Sequence, residues 1–104
     1  MTPVDGVLRA LDDPTRRALL DDLAQHGTAT ATSLSSRLPV SRQAVVQHLD
    51  VLSRAGLVRG ARHGRERHYV LRSDPIKETA RWLDDLAATW DRRLASIKSV
   101  AESP

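Results

Sequence analysis

This chain predicts a mainly α-helical fold with one two-stranded β-hairpin, and three observations predict it. Apolar residues recur at helical spacing in four early segments, each ended by a glycine, a proline or a capping side chain. Between Leu57 and Arg72 the pattern shortens to that of strands, with a glycine at the midpoint. From Ile76 onward an apolar stripe runs in strict heptad spacing along one long final helix.

The elements follow in order. Val4, Val7, Leu8 and Leu11 share a helical face and make a short first helix. Asp12-Asp13-Pro14 stops it and starts the next, with Asp13 as N-cap and Pro14 at the first helical position, where a missing N–H costs nothing. The second helix runs through Ala18, Leu19, Leu20 and Leu23 to about His26, and Gly27 ends it. Thr28 to Thr32 is a polar connector in which Thr30 caps a third, short helix ending near Leu38. Pro39-Val40-Ser41 is a tight turn, Ser41 caps the fourth helix, and Gly56 stops it. Two strands then join near His63-Gly64, where glycine accepts the positive φ of a hairpin turn. Ser73-Asp74-Pro75 opens the last helix, from Ile76 to about Val100. A short helix, a turn and a further helix followed at once by a β-hairpin make a winged helix-turn-helix.

Composition bounds what such a fold can do. At 104 residues and 40% hydrophobic content, residues 1–104 read as one domain with one modest core, poor in aromatics and lacking Phe. A second copy is the natural cover for whatever apolar surface that core cannot bury. The absence of Cys removes disulfides, thiolate metal sites and cysteine catalysis together. No apolar run approaches the length needed to span a bilayer, and nothing at the start reads as a secretory leader, so no membrane association and a soluble, cytoplasmic location are expected.

The charge is unevenly placed. From Arg37 to Arg72 eight arginines stand against Asp50 and Glu66, a net of +6, whereas residues 1–36 carry −2 and residues 73–104 carry −1. One contiguous segment thus holds nearly all the positive potential, the electrostatic footprint of a nucleic-acid binder. Within it, Val45, Leu49 and Leu52 fall on the core face of the fourth helix, and Gln43, Val46, Gln47 and Asp50 on the opposite face. Gln can bond adenine bidentately and a valine can touch a thymine methyl. Ser41 and Arg42 open the helix, in place for a backbone phosphate. His48 is a structural residue of this helix or a further phosphate contact. Asp50 repels phosphate and is expected at the rim. The predicted recognition set is therefore Ser41, Arg42, Gln43, Val46, Gln47 and His48. Arg62, His63, Arg65 and Arg67 cluster at the hairpin tip, where a merely soluble edge would mix signs, and they form the predicted wing contacts to double-stranded DNA.

The last helix carries Ile76, Ala80, Leu83, Ala87, Trp90, Leu94, Ile97 and Ala101 at alternating steps of four and three. Trp82 and Leu86 flank that stripe, so its apolar surface exceeds one seam. Some 25 residues of helix span about 37 Å, too long for one small domain to cover. A homodimer is expected, with Ile76, Ala80, Leu83, Ala87, Trp90, Leu94 and Ile97 at the interface. It would hold two recognition helices about 34 Å apart, one for each half of a pseudo-palindrome.

The segments LRALDDPTRRALLDDL, LPVSRQAVVQHLDVLSRAGLV and GRERHYVL resemble the ArsR-type (ArsR/SmtB) winged helix-turn-helix repressors of bacteria over nearly the whole chain. The pattern of Pro14-Thr15-Arg16, Ser41, His48-Leu49, Leu52, Ala55-Gly56-Leu57-Val58 and Tyr69 carries the resemblance. It implies a dimeric transcriptional repressor in which the fourth helix reads DNA, the hairpin is the wing, and the first helix, through Val7 and Leu8, joins the last in the dimer interface. Trp82-Leu83 and Trp90 resemble the subgroup without metal motifs. Where metal-responsive members carry Cys at the start of the third helix, this chain has Thr30 and Thr32, and its last helix contains no histidine. Asp84 and Asp85 are adjacent and point apart, and His26, His48, His63 and His68 fall on separate elements. No metal site and no cofactor are expected, and an organic effector, a redox-independent signal or no effector all stay open. An enzyme is disfavoured, since the carboxylates sit at salt-bridge spacing from arginines and no glycine-rich phosphate loop is present. The remaining rivals are a winged helix that binds DNA without sequence preference and one that mediates protein–protein contact.

Overall fold

The structure, a computed structural model, describes residues 3–102, so 1–2 and 103–104 of the expected unit lie outside it. The chain runs α1 (Pro3–Ala10), α2 (Pro14–His26), α3 (Ala31–Arg37), α4 (Arg42–Arg54), β1 (Val58–His63), β2 (Glu66–Leu71) and α5 (Asp74–Glu102), a winged helix-turn-helix.

The caps act where the residue types allow. Asp13 accepts from the amides of Thr15 (2.7 Å) and Arg16 (3.2 Å), tying down two donors that the first turn of α2 leaves unpaired. Thr30 and Ser33 form a reciprocal capping box at α3, each side chain taking the other's backbone N–H. Ser41 accepts from the Ala44 amide at the start of α4. Gly27 takes φ 84° and donates to the Leu23 carbonyl, closing α2 in a conformation that side-chain-bearing residues avoid.

Leu19, Leu23, Leu34, Val45, Leu49, Leu52 and Leu57 fill the core, so α2, α3, α4 and the root of the hairpin share one apolar centre. Each fully buried Leu or Val contributes about 1.5–3 kcal/mol relative to exposure. Val7 belongs to this core as well. It is 0% exposed, so it is unavailable to a partner chain and its place in the expected dimer surface is corrected. One residue step turns a helix through about 100°, which points Val7 inward and leaves Leu8 open to solvent.

The strands pair antiparallel from Val58↔Leu71 to His63↔Glu66 around a two-residue loop of Gly64 and Arg65. Gly64 has φ 64° and, among the described residues, no non-glycine has a positive φ, the pattern of a type II′ turn. At its root the hairpin is anchored twice. Tyr69 exchanges two backbone bonds with Ala29 in the α2–α3 connector (2.8 and 3.1 Å), and the Arg72 amide donates to the Leu57 carbonyl.

α5 behaves differently from the rest. Its first turns pack along α1 and Ile76 is half-buried against the core, but every described residue from 81 onward is exposed. Its 29 residues span ~44 Å, and the chain measures 72 × 25 × 23 Å. A radius of gyration of 18.9 Å, against about 13 Å for a compact chain of this length, describes a small body with a projecting helix. No described helix is long and apolar enough to cross a membrane.

Candidate nucleic-acid interface

α4 presents two opposed faces. Val45, Leu49 and Leu52 are buried, whereas Ser41, Arg42, Gln43, Val46 and Gln47 are exposed. Val46 is 40% exposed although it is apolar and lies between two glutamines. His48 is half-buried toward the start of α2. The carboxyl of Asp13 is held below the usual carboxylate range chiefly by the Arg16 amide, with the Thr15 amide and the charges of His48 and Arg16 assisting. Asp50 lies at the end of the exposed face and pairs with Arg54 one turn on, at 2.9 Å, which offsets its repulsion of an incoming polyanion.

Strand alternation divides the wing. Arg62 and Arg67 are register partners and, with Arg65 from the turn, they line an open cleft of about 680 Å³ between α3, α4 and the hairpin. Thr30, Thr32 and Ser36 of the third-helix region, Arg42 and Val46 of α4, and Tyr69 line the same cleft. His63 lies elsewhere. It lines the opposite face of the hairpin, its ring edge-to-face with that of His68 at 5.2 Å. The structure therefore brings three of the four predicted wing residues together with α4 and sets His63 apart, while pairing two histidines that stand on different strands. Glu66 at the tip reaches His68, with Oε2 to Nε2 at 3.8 Å.

Gly60 explains how the wing face is laid out. A Cβ there would come within 2.7 Å of Arg67 Nε and 3.0 Å of the Tyr69 ring, so the bare backbone lets both side chains lie across the sheet beside the cleft.

Two ties position this surface, and neither is legible from local sequence. Arg16 donates from Nε to the Ala10 carbonyl (2.6 Å) and from Nη2 to that of Arg9 (3.1 Å), satisfying the open end of α1. Asp22 of α2 is only 7% exposed and accepts two bonds from Arg37 of α3, at 2.6 and 2.8 Å. This fork joins the two helices that precede α4, and the Arg37 guanidinium holds the Asp22 carboxyl below the usual range, with His26 assisting. Asp22→Ala is expected to cost about 1–2 kcal/mol, kept low because Arg37 stays partly open to water. A lowered folded-state pKa contributes stability that is present above the unfolded value of about 3.9 and is lost as pH falls through the folded value. Melts of wild type and variant should thus differ most at neutral pH, with the gap narrowing as the solution is made acid; a gap that does not change with pH would sink the assignment.

Comparison with known proteins agrees with this geometry. Residues 11–61 match the family of helix-turn-helix domains. The HTH-type transcriptional regulator Rv2034 of Mycobacterium tuberculosis is 41% identical over 99 residues, 95% of this chain and 89% of its own length. The transcriptional repressor SdpR of Bacillus subtilis is 29% identical over 80 residues, 77% of this chain and 88% of its own. Among solved structures, an ArsR-like transcriptional regulator from Rhodococcus sp. RHA1 superposes with a TM-score of 0.86 at 44% identity, covering 98% of this chain and 95% of that one.

Proposed function

The chain belongs to the ArsR-type winged helix-turn-helix transcriptional regulators, and from that premise we propose that it is a homodimeric repressor occupying a short inverted repeat, its own promoter among the sites. It is a DNA-binding regulator and not an enzyme. The observation that carries the finer reading is the exposed Gln43-Val46-Gln47 face of α4 standing beside a cleft lined by Arg42, Arg62, Arg65 and Arg67. An apolar side chain and two amides are suited to base edges in a major groove, and four guanidinium groups to the phosphates on either side. In this reading residues 1–104 are one unit working in the cytoplasm, with α1 and α5 supplying the dimer surface through Leu8, Ile76, Ala80, Leu83, Ala87, Trp90, Leu94 and Ile97. Repression follows from occupancy: a bound dimer denies the promoter to polymerase.

Fluorescence anisotropy on the DNA upstream of its own gene and on a scrambled duplex, at two salt concentrations, tests the proposal. A clear preference for one duplex that survives added salt is expected. Equal, steeply salt-dependent binding to both would replace it with non-specific binding, and no binding to either would favour a protein-contact module. In the same assay Arg65→Ala should weaken all duplexes alike and lower the salt slope by about one. A loss confined to one sequence would move Arg65 from the phosphates to the bases.

A further inference from the structure

We propose that Thr32 is a positioning residue for Arg42, so that α3 sets how firmly the first arginine of the recognition helix grips a phosphate. The inference rests on the reading of this surface as the DNA-binding face. Arg42 is exposed at the start of α4, and its Nε donates to Thr32 Oγ1 at 3.2 Å. Thr32 is itself exposed on the first turn of α3, ten residues back in the chain, and both residues line the cleft that Arg65 and Arg67 close from the wing side.

A guanidinium carries five N–H donors, and this bond uses one of them. The two terminal amino groups are left to meet an anion as a fork, the geometry that suits a phosphate. A free arginine in water samples many rotamers and must be ordered when the ligand arrives. An anchor at Nε does part of that ordering beforehand, which strengthens binding without adding a contact to the DNA. The hydroxyl carries no charge, so its effect separates from that of the arginine. Removing Arg42 loses a counterion-releasing contact and changes the salt slope, whereas removing the hydroxyl changes only the fit.

The test is a double-mutant cycle of Thr32→Val and Arg42→Ala, read by anisotropy across a salt series, with thermal melts to establish that each variant folds. Valine keeps the shape and the β-branching of threonine while removing its acceptor. Thr32→Val should lower affinity about three- to tenfold on matched and random duplexes alike, with the salt slope unchanged. Arg42→Ala should lower affinity and reduce the slope by about one. In the Arg42→Ala background Thr32→Val should do nothing, whereas with Arg42 present Thr32→Ser, which keeps the acceptor, should bind with wild-type affinity. Thr32→Val without effect, or with the same effect in both backgrounds, overturns the positioning role while leaving the DNA reading intact. Failure of the wild-type protein to bind any duplex overturns the DNA reading itself, and the inference falls with it.

Discussion

Replacing Leu83 and Trp90 together by lysine is expected to turn the proposed dimer into a monomer and to lower affinity for the proposed operator by about 10²–10⁴-fold, the advantage that linked half-sites lose when one is removed. The reason lies in where α5 ends up. Leu83 is 48% and Trp90 58% exposed, and Leu86, Leu94 and Ile97 stand open with them. A continuous apolar stripe of that size on a lone chain is a strong departure from ordinary protein surface. The heptad spacing says how a second copy would cover it, with knobs from one helix seated between those of the other, and Ala80 and Ala87 letting the backbones approach. Leu8 on α1, the helix that packs against α5, is exposed as well.

The variant is informative because neither residue belongs to the core. The winged body should keep its cooperative melt while sedimentation equilibrium reports a mass near 11.5 kDa in place of twice that value. Each monomer would still hold one recognition helix and one wing, so weak, salt-sensitive binding to any duplex should survive. A wild-type protein that sediments as a monomer at tens of micromolar would refute the dimer, as would a doubly substituted protein that stays dimeric.

Gln47→Ala carries the second large effect, a loss of about 1–3 kcal/mol on the preferred site and a relaxed base preference at one position in each half-site. Gln43 and Gln47 are one turn apart, with Cβ atoms about 6 Å from each other. That is close to two base steps at about 3.4 Å each, so the two amides address positions two base pairs apart while Val46 sits between them. An amide that bonds two groups of one adenine discriminates strongly, because any other base leaves its donor or its acceptor unmatched. The substitution should barely alter the salt slope, which separates it from Arg65→Ala and Arg42→Ala. An equal loss on preferred and random DNA would remove Gln47 from the base-reading set. Gln43→Ala should relax a different position, and the two losses should be nearly additive if each glutamine reads its own base.

Much of this protein is legible in its sequence, and the reason is locality. Asp13, Thr30 and Ser41 cap helices because each side chain reaches amides only two or three residues ahead. Gly27 and Gly64 take positive φ at the points where the chain must turn, a demand set by a single residue's backbone. The buried face of α4 and the open stripe of α5 follow from the period of the helix, which needs no knowledge of what lies opposite. The charge bias of residues 37–72 likewise belongs to the string itself.

What only the tertiary structure decided are the relations between residues far apart in the chain. Whether Val7 turns toward the core depends on the angle at which α1 docks, and one step along the helix separates it from the open Leu8. Strand register put Arg62 and Arg67 on the cleft side and carried His63 to the other face against His68. The Asp22–Arg37 fork spans fifteen residues and the Arg42–Thr32 bond ten, and each exists because packing brings two helices to one crossing. Caps, turns and periodicity are decided within a few residues of backbone, so sequence by itself determined the elements and their faces. Hydrogen bonds between elements need positions correct to a few tenths of an ångström, and the packed core alone supplies that precision.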